Sequence, residues 1–373
     1  MKMPLALIQG ALLLPILNAA VCMPTTLGGD PELEHIKLPE GFSISVFAQD
    51  VENARAMCWG EKGTLFVGSR KAGIVHALRD DDGDGRADRS FVIARGLNMP
   101  AGVAFREGDL YVSSLDRIVR LKDIENNLND PPEPEIVIEG YPDETAHGWK
   151  FIAFGPDGKL YIPVGAPCNI CLSENEIFAS ITRVNIDGTD REIVAHGVRN
   201  TVGFDWHPET GDLWFTDNGR DWMGDDLPPC ELNRLTEIGA HYGYPYCHGR
   251  NIPDPEYDQR SCDEFVPPLL EMTAHTAPLG MRFHSGNGLP DRYRNAIFIA
   301  QHGSWNRSTP VGYQVIVAFP EKDGSVTSEV FAEGWLKGSK ASGRPVDVLE
   351  APDGSLLVSD DHANMIYRIT YDR

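Results

Sequence analysis

Arg55, Arg70, Arg199 and Arg344, with His147, His302 and His362 and the amides Asn200 and Asn218, are the side chains whose types and places suggest chemistry. Guanidinium groups grip carboxylates and phosphates through paired hydrogen bonds. A neutral imidazole accepts a proton near physiological pH, and an amide donates or accepts. A second group lies in DDDGDGRAD, residues 80–88. Asp80, Asp82, Asp84 and Asp88 fall at positions 1, 3, 5 and 9 of a calcium loop, with Gly85 at the sharp turn of position 6. No glutamate follows at position 12, so this is not a complete EF-hand. The spacing is expected to hold a structural calcium ion; a solvated acidic turn is the alternative.

The elements that must position these residues come from one phrase repeated six times: a β-run, a tight turn, and a second β-run. The copies span 55–69, 101–114, 147–165, 199–219, 279–303 and 344–362. Alternating apolar and polar residues around a Gly-containing turn predict a hairpin in each. Self-similarity at a period of roughly 40–60 residues predicts the blades of a propeller. The expected fold is therefore an all-β, six-bladed β-propeller over 23–373. Strands in GFSISVFAQ (41–49) and NMIYRITYD (364–372) would pair to close the ring and remove its free edges. Within each hairpin, the start of the first strand and the end of the second lie at the same end. If first strands line the central channel, those positions converge on one mouth. Gathered there, the nine residues make an anion-binding and proton-transfer site rather than a docking face. Taken singly, His302 in HGSWNR reads as structural, and Asn306-Arg307-Ser308 as a glycosylation acceptor. His147 is favoured for chemistry by its company. The turn-rich, aromatic interval 221–277 reads as a long functional loop.

The first 22 residues read as a signal peptide: Lys2, an apolar run over 5–17, then Ala19 and Ala20. No later segment approaches the 18 apolar residues of a membrane span. A secreted or periplasmic location follows, and Val21 before Cys22 suits lipid attachment badly. Export permits disulfides. Cys168 and Cys171 are expected to clip one loop, and Cys247 and Cys262 to bracket another; Cys58 reads as a buried thiol, and Cys230 has no assigned partner. The net charge of −22 argues against a nucleic-acid partner.

HGWKFIAFGPDGKLYIPVGAPCNIC, HGVRNTVGFDWHPETGDLWFTDNGRD, PPCELNRLTEIGAHYGYPYC, APLGMRF, HGSWNRSTPVGY and GRPVDV resemble the soluble quinoprotein sugar dehydrogenases, the sorbosone dehydrogenase branch in particular. The resemblance spans nearly the whole mature chain. It implies oxidation of a sugar or sugar aldehyde by hydride transfer to pyrroloquinoline quinone (PQQ), with calcium beside the cofactor and an external electron acceptor. His147 matches the general base; Arg199 and Asn200 match the pair at the quinone carbonyl. Asn218, Arg344, His302 and Asn306 fall at cofactor-contacting places. The carbonyls of Gly219 and Arg220 correspond to calcium ligands, with Glu231 in the loop that follows. PQQ carries three carboxylates, which an acidic protein can hold only with a local set of arginines.

Two departures from the family pattern stand out. An aspartate that orients the catalytic-type histidine is here Ala146, and a second basic residue near Arg344 is Val346. A different substrate or a weakened site is expected from them. Two rival readings remain open at this point: a calcium-dependent lactonase-type propeller with Asn200, Asn218 and Asp217 as ligands, and a non-enzymatic binding propeller.

Overall fold

The computed structural model describes residues 33–286 and 288–372; the expected signal peptide and Cys22 lie outside them. Six sheets are arranged as the blades of a propeller, and the described residues contain short 3-10 turns but no α-helix. The blades run in sequence order from their inner strands: Ala54–Trp59, Val103–Arg106, Ala153–Phe154, Phe204–Trp206, Pro278–Phe283 and Pro345–Glu350. Blade six takes its outermost strand from the other end of the chain. Phe42–Ala48 pairs antiparallel with Met365–Tyr371, as the two end strands in the sequence suggest.

Second strands are buried along their whole length, as in Leu213–Asp217 and Leu356–Asp360, save for Asp109 at the start of blade two's. Alternation fades there because each blade is covered on both faces by its neighbours. Phe66, Phe204, Phe215 and Phe298 are fully buried between blades, each contributing about 1.5–3 kcal/mol. Near the axis the inner strands approach so closely that glycine is required. A Cβ on Gly102 would sit 2.3 Å from the Lys150 carbonyl oxygen, and one on Gly203 would sit 2.2 Å from that of Leu279.

Hydroxyl groups stitch adjacent blades where apolar packing ends. Ser113 Oγ donates to the Lys150 carbonyl at 2.9 Å, Thr216 Oγ1 to Leu279 at 2.8 Å, and Ser359 Oγ to Arg55 at 2.8 Å. The last of these joins blade six to blade one. Interval 221–277 is more ordered than its composition suggests. It supplies blade four's two outer strands, Cys230–Arg234 and Leu270–Met272, and a parallel addition to blade three, Ala240–His241. The two disulfides are those the spacing suggests, Cys168–Cys171 and Cys247–Cys262, and Cys58 and Cys230 are free. Among the described residues no helix is long and apolar enough to cross a membrane.

Candidate active site

Inner strands begin and second strands end at one face, and there a cavity of about 340 Å³ opens. Aspartates at the ends of second strands fix its walls. Asp217 Oδ2 accepts the Arg199 N–H at 2.8 Å, and its Oδ1 accepts the Asn200 N–H at 2.6 Å. In blade six, Asp360 Oδ1 accepts the N–H groups of Arg344, His362 and Ala363. The same device thus places Arg199-Asn200 and Arg344, which is why all three precede inner strands without serving the core.

His147 has a positive φ of 50°, and its Nδ1 lies 2.7 Å from the Ala166 carbonyl oxygen. A carbonyl only accepts, so Nδ1 carries the proton and Nε2 keeps its lone pair. The orientation lost with Ala146 is thus supplied by backbone. Burial, then the nearby Arg199 charge, lowers His147 to a pKa of about 4, so the ring is neutral at physiological pH.

Arg199 is 4% exposed. It donates from Nε to the Asn169 carbonyl at 2.9 Å, from Nη2 to Asn169 Oδ1 at 2.8 Å, and from Nη1 to the Asn218 carbonyl at 3.2 Å. Arg344 donates to the carbonyls of His302 and Gly303 at 3.0 and 2.6 Å. The third wall is ionic: Arg55 Nη1 meets Asp361 Oδ2 at 3.0 Å, and Asp361 Oδ1 meets His302 Nε2 at 2.7 Å. Burial opposes the charge on Asp361, but His302 and Arg55 hold it well below the usual carboxylate range. Burial also lowers His302 to about 4, against the pull of Asp361.

Four guanidiniums, of Arg55, Arg70, Arg199 and Arg344, line the cavity against one carboxylate, of Asp221, with Asp361 behind the wall on Arg55 and His302. Three buried polar atoms in the lining have no partner: Arg70 Nε, Trp149 Nε1 and Asn306 Oδ1. Arg70 lies 3.6 Å over the Trp149 ring, and burial, then the Arg55 charge, lowers it to about 10. Such orphans are costly unless a ligand meets them. A cationic cavity with spare donors fits a flat, carboxylate-rich group such as PQQ. On the rim, Trp222 and Trp305 are 69% and 66% exposed and meet edge to face at 5.4 Å.

Several expected residues are placed differently from the sequence reading. Glu231 lies in the strand Cys230–Arg234, not in a loop. It is 7% exposed, accepts from Gly249 N–H and Asn233 Nδ2, and does not line the cavity. Burial, then the charge of Asp217, pushes its carboxyl up. Asn218 does line the cavity, with its amide hydrogens donated to the carbonyls of Asn200 and Pro278. Arg220 turns its side chain away, to Asp254 and Glu256 at 2.6 and 2.8 Å; Gly219, beside it, packs against Pro228 and Pro229. His362 is held at its backbone by Asp360 and does not line the cavity. In the acidic loop, Asp80, Asp82 and Asp88 bring ligand atoms within 4.8 Å of one another. Asp84 lies outside that group, its carboxylate accepting the Arg86 N–H at 2.8 Å.

Trp149, Asp221 and His275 also line the cavity and are not singled out by the sequence. Asp221 directly follows DNGR and pairs with Arg199 at 3.6 Å and with Asn306 Nδ2 at 2.7 Å. That adjacency was the available signal. A larger cavity, about 730 Å³, lies off the mouth against blades one and two, and no histidine or cysteine lines it.

The TrAA12-like family profile matches residues 36–372. An uncharacterized protein of Borreliella burgdorferi is 33% identical over 93% of this chain and 94% of its own length. The holo form of the pyranose dehydrogenase PQQ domain from Coprinopsis cinerea superposes with a TM-score of 0.76 at 19% identity, over 90% of this chain and 97% of that one. The calcium structure of a Trichoderma reesei carbohydrate-active enzyme of family AA12 gives 0.78 at 19% identity, with the same coverage. At such identity these two structures speak for the fold, while the profile and the Borreliella relative settle kinship. The chain belongs to the TrAA12-like family.

Proposed function

We propose that the chain is an exported quinoprotein that oxidises a sugar or sugar aldehyde and passes the electrons to an external acceptor. The observation that carries this reading is the cationic cavity with its unpartnered Arg70 Nε and Trp149 Nε1. Arg55, Arg70 and Arg344 would hold the carboxylates of PQQ, and Arg199 with Asn200 its carbonyl edge. When bound, PQQ supplies the two-electron acceptor that no side chain provides. Neutral His147, with Nε2 free, takes the hydroxyl proton, and Arg199 stabilises negative charge developing nearby. By the family resemblance, the carbonyls of Gly219 and Arg220 would serve a calcium ion beside the cofactor. Two disulfides agree with passage through an oxidising compartment. Titrating apoprotein with PQQ and calcium tests the reading by absorbance: saturable binding, then bleaching on adding aldose, is expected. No binding overturns it.

The lactonase alternative calls for carboxylates and amides caging a metal at the axis. Among the described residues, the group of carboxylates close enough to share an ion is instead the 80–88 loop, between blade one's outer strands. We assign that loop a structural calcium. At calcium a hundredfold above Kd, the melting temperature should rise by roughly 3–8 °C. Asp82→Asn should abolish the rise and Asp84→Asn should retain it. A calcium-independent melting temperature in the wild type makes the loop a solvated turn.

Trp222 and Trp305 favour a pyranose ring as substrate, since an exposed indole face offers the apolar side of a sugar a contact beside the cavity. Trp305→Ala should raise KM for aldoses about threefold to tenfold, from a loss of about 0.5–1.5 kcal/mol, with kcat little changed. An unchanged KM removes the pair from substrate binding.

A further inference from the structure

Three histidines line the mouth: His275 is tied through Nε2 to the Gly224 and Leu227 carbonyls, and His147 and His302 are held in opposite senses. His147 gives its Nδ1 proton to the Ala166 carbonyl, leaving Nε2 free. His302 faces a carboxylate through Nε2, at 2.7 Å from Asp361. Ionised Asp361 only accepts, so Nε2 of His302 carries the proton and Nδ1 keeps the lone pair. The two rings also differ in what stabilises them once protonated. A second proton on His147 makes a cation beside Arg199, with only a carbonyl behind it. On His302 it makes an imidazolium paired with a carboxylate that Arg55 clamps from the other side at 3.0 Å. Arg344 adds the one further charge at this ring, donating to the His302 carbonyl.

The reaction class sets the number of protons. Oxidising a hydroxyl-bearing carbon to a carbonyl releases two electrons and two protons. The electrons go to the bound oxidant and then to the external acceptor. When that acceptor takes electrons alone, both protons must leave through the mouth, and neutral imidazoles are the groups there that can accept them on the way to solvent. One neutral imidazole receives one. Resting on the reading above, we propose that His302, held by Asp361, is the mouth's second proton acceptor: His147 takes the hydroxyl proton, and His302 takes the proton released as electrons pass to the external acceptor. Asp361 is a positioning residue, fixing the His302 tautomer and stabilising its imidazolium.

Two measurements test this. Long-range proton–nitrogen NMR spectra of apoprotein at neutral pH should show His147 protonated at Nδ1 and His302 at Nε2. Asp361→Ala should release only the latter into a mixed tautomer. Finding His302 protonated at Nδ1 in the wild type, or unaffected by Asp361→Ala, overturns the pairing whether or not the protein binds a quinone. The second measurement separates half-reactions in the PQQ-loaded protein. At saturating PQQ, His302→Gln should lower steady-state turnover with a one-electron dye about 10²-fold, the lower end for a positioned proton acceptor, while slowing single-turnover bleaching by sugar far less. Loss of the bleaching step, or unchanged dye turnover, overturns the proposal. Failure of the wild type to bind PQQ sinks the functional reading and this division of labour with it, but leaves the apoprotein result standing. Melting curves confirm that each variant is folded.

Discussion

His147→Ala should bind PQQ almost as tightly as the wild type yet turn over about 10²–10⁴-fold more slowly, the worth of a positioned base. The side chain lines the cavity, is fixed through Nδ1 by a carbonyl, and stands in a turn ahead of blade three's inner strand, with Trp149 as its ring neighbour at 6.0 Å. Its pH profile should be one-sided. The base works only when neutral, and burial with Arg199 holds its pKa near 4. Turnover governed by His147 should therefore be flat above about pH 5 and decline as pH falls through 4. Dye-linked aldose oxidation across pH, with titrated cofactor binding alongside, checks both statements. Wild-type turnover in the variant removes His147 from the mechanism.

Arg199→Ala should fail differently, losing binding and turnover together. The guanidinium is buried and divided among Asn169, the Asn218 carbonyl and Asp221. Its loss removes a charged contact worth about 1.5–3 kcal/mol, or about 10–100-fold in affinity, and a stabiliser of developing negative charge worth about 10²–10³ in turnover. Arg199→Lys is the informative companion. It keeps the charge but not the planar fork, so it should recover affinity better than rate. Equal recovery of both would assign Arg199 to charge alone.

The hairpins were legible because each carries its turn chemistry locally, as in Pro-Asp-Gly at 156–158 and 352–354. The mouth was legible because strand polarity alone decides which end a residue occupies. What escaped was set by partners distant in sequence. Nothing near Asp361 announces that it will join Arg55, 306 residues away, to His302. The resemblance alone puts Glu231 in a loop, yet blade four needs a third strand and Cys230–Arg234 supplies it directly after Pro228 and Pro229. Asp84 fits a calcium-loop spacing, but its carboxylate caps the backbone of Arg86 instead. Trp149 and His275 have no local mark; the curvature of the ring brings them in.

Borrowing blade six's outer strand from residues 42–48 fixes the order in which this molecule can be made. Arg55 meets its carboxylate, and Ser359 meets the Arg55 carbonyl, across separations of 306 and 304 residues. During synthesis, five blades can stack while the ring remains a horseshoe with two raw edges. Throughout that interval the Arg55 guanidinium has no counter-charge from residue 361, and burying it alone is costly. Contacts of such range place folding among the slow, non-local topologies. The active mouth is thus the final product of maturation, and a chain stalled before residue 361 leaves the wall of Arg344, His302 and Asp361 unbuilt.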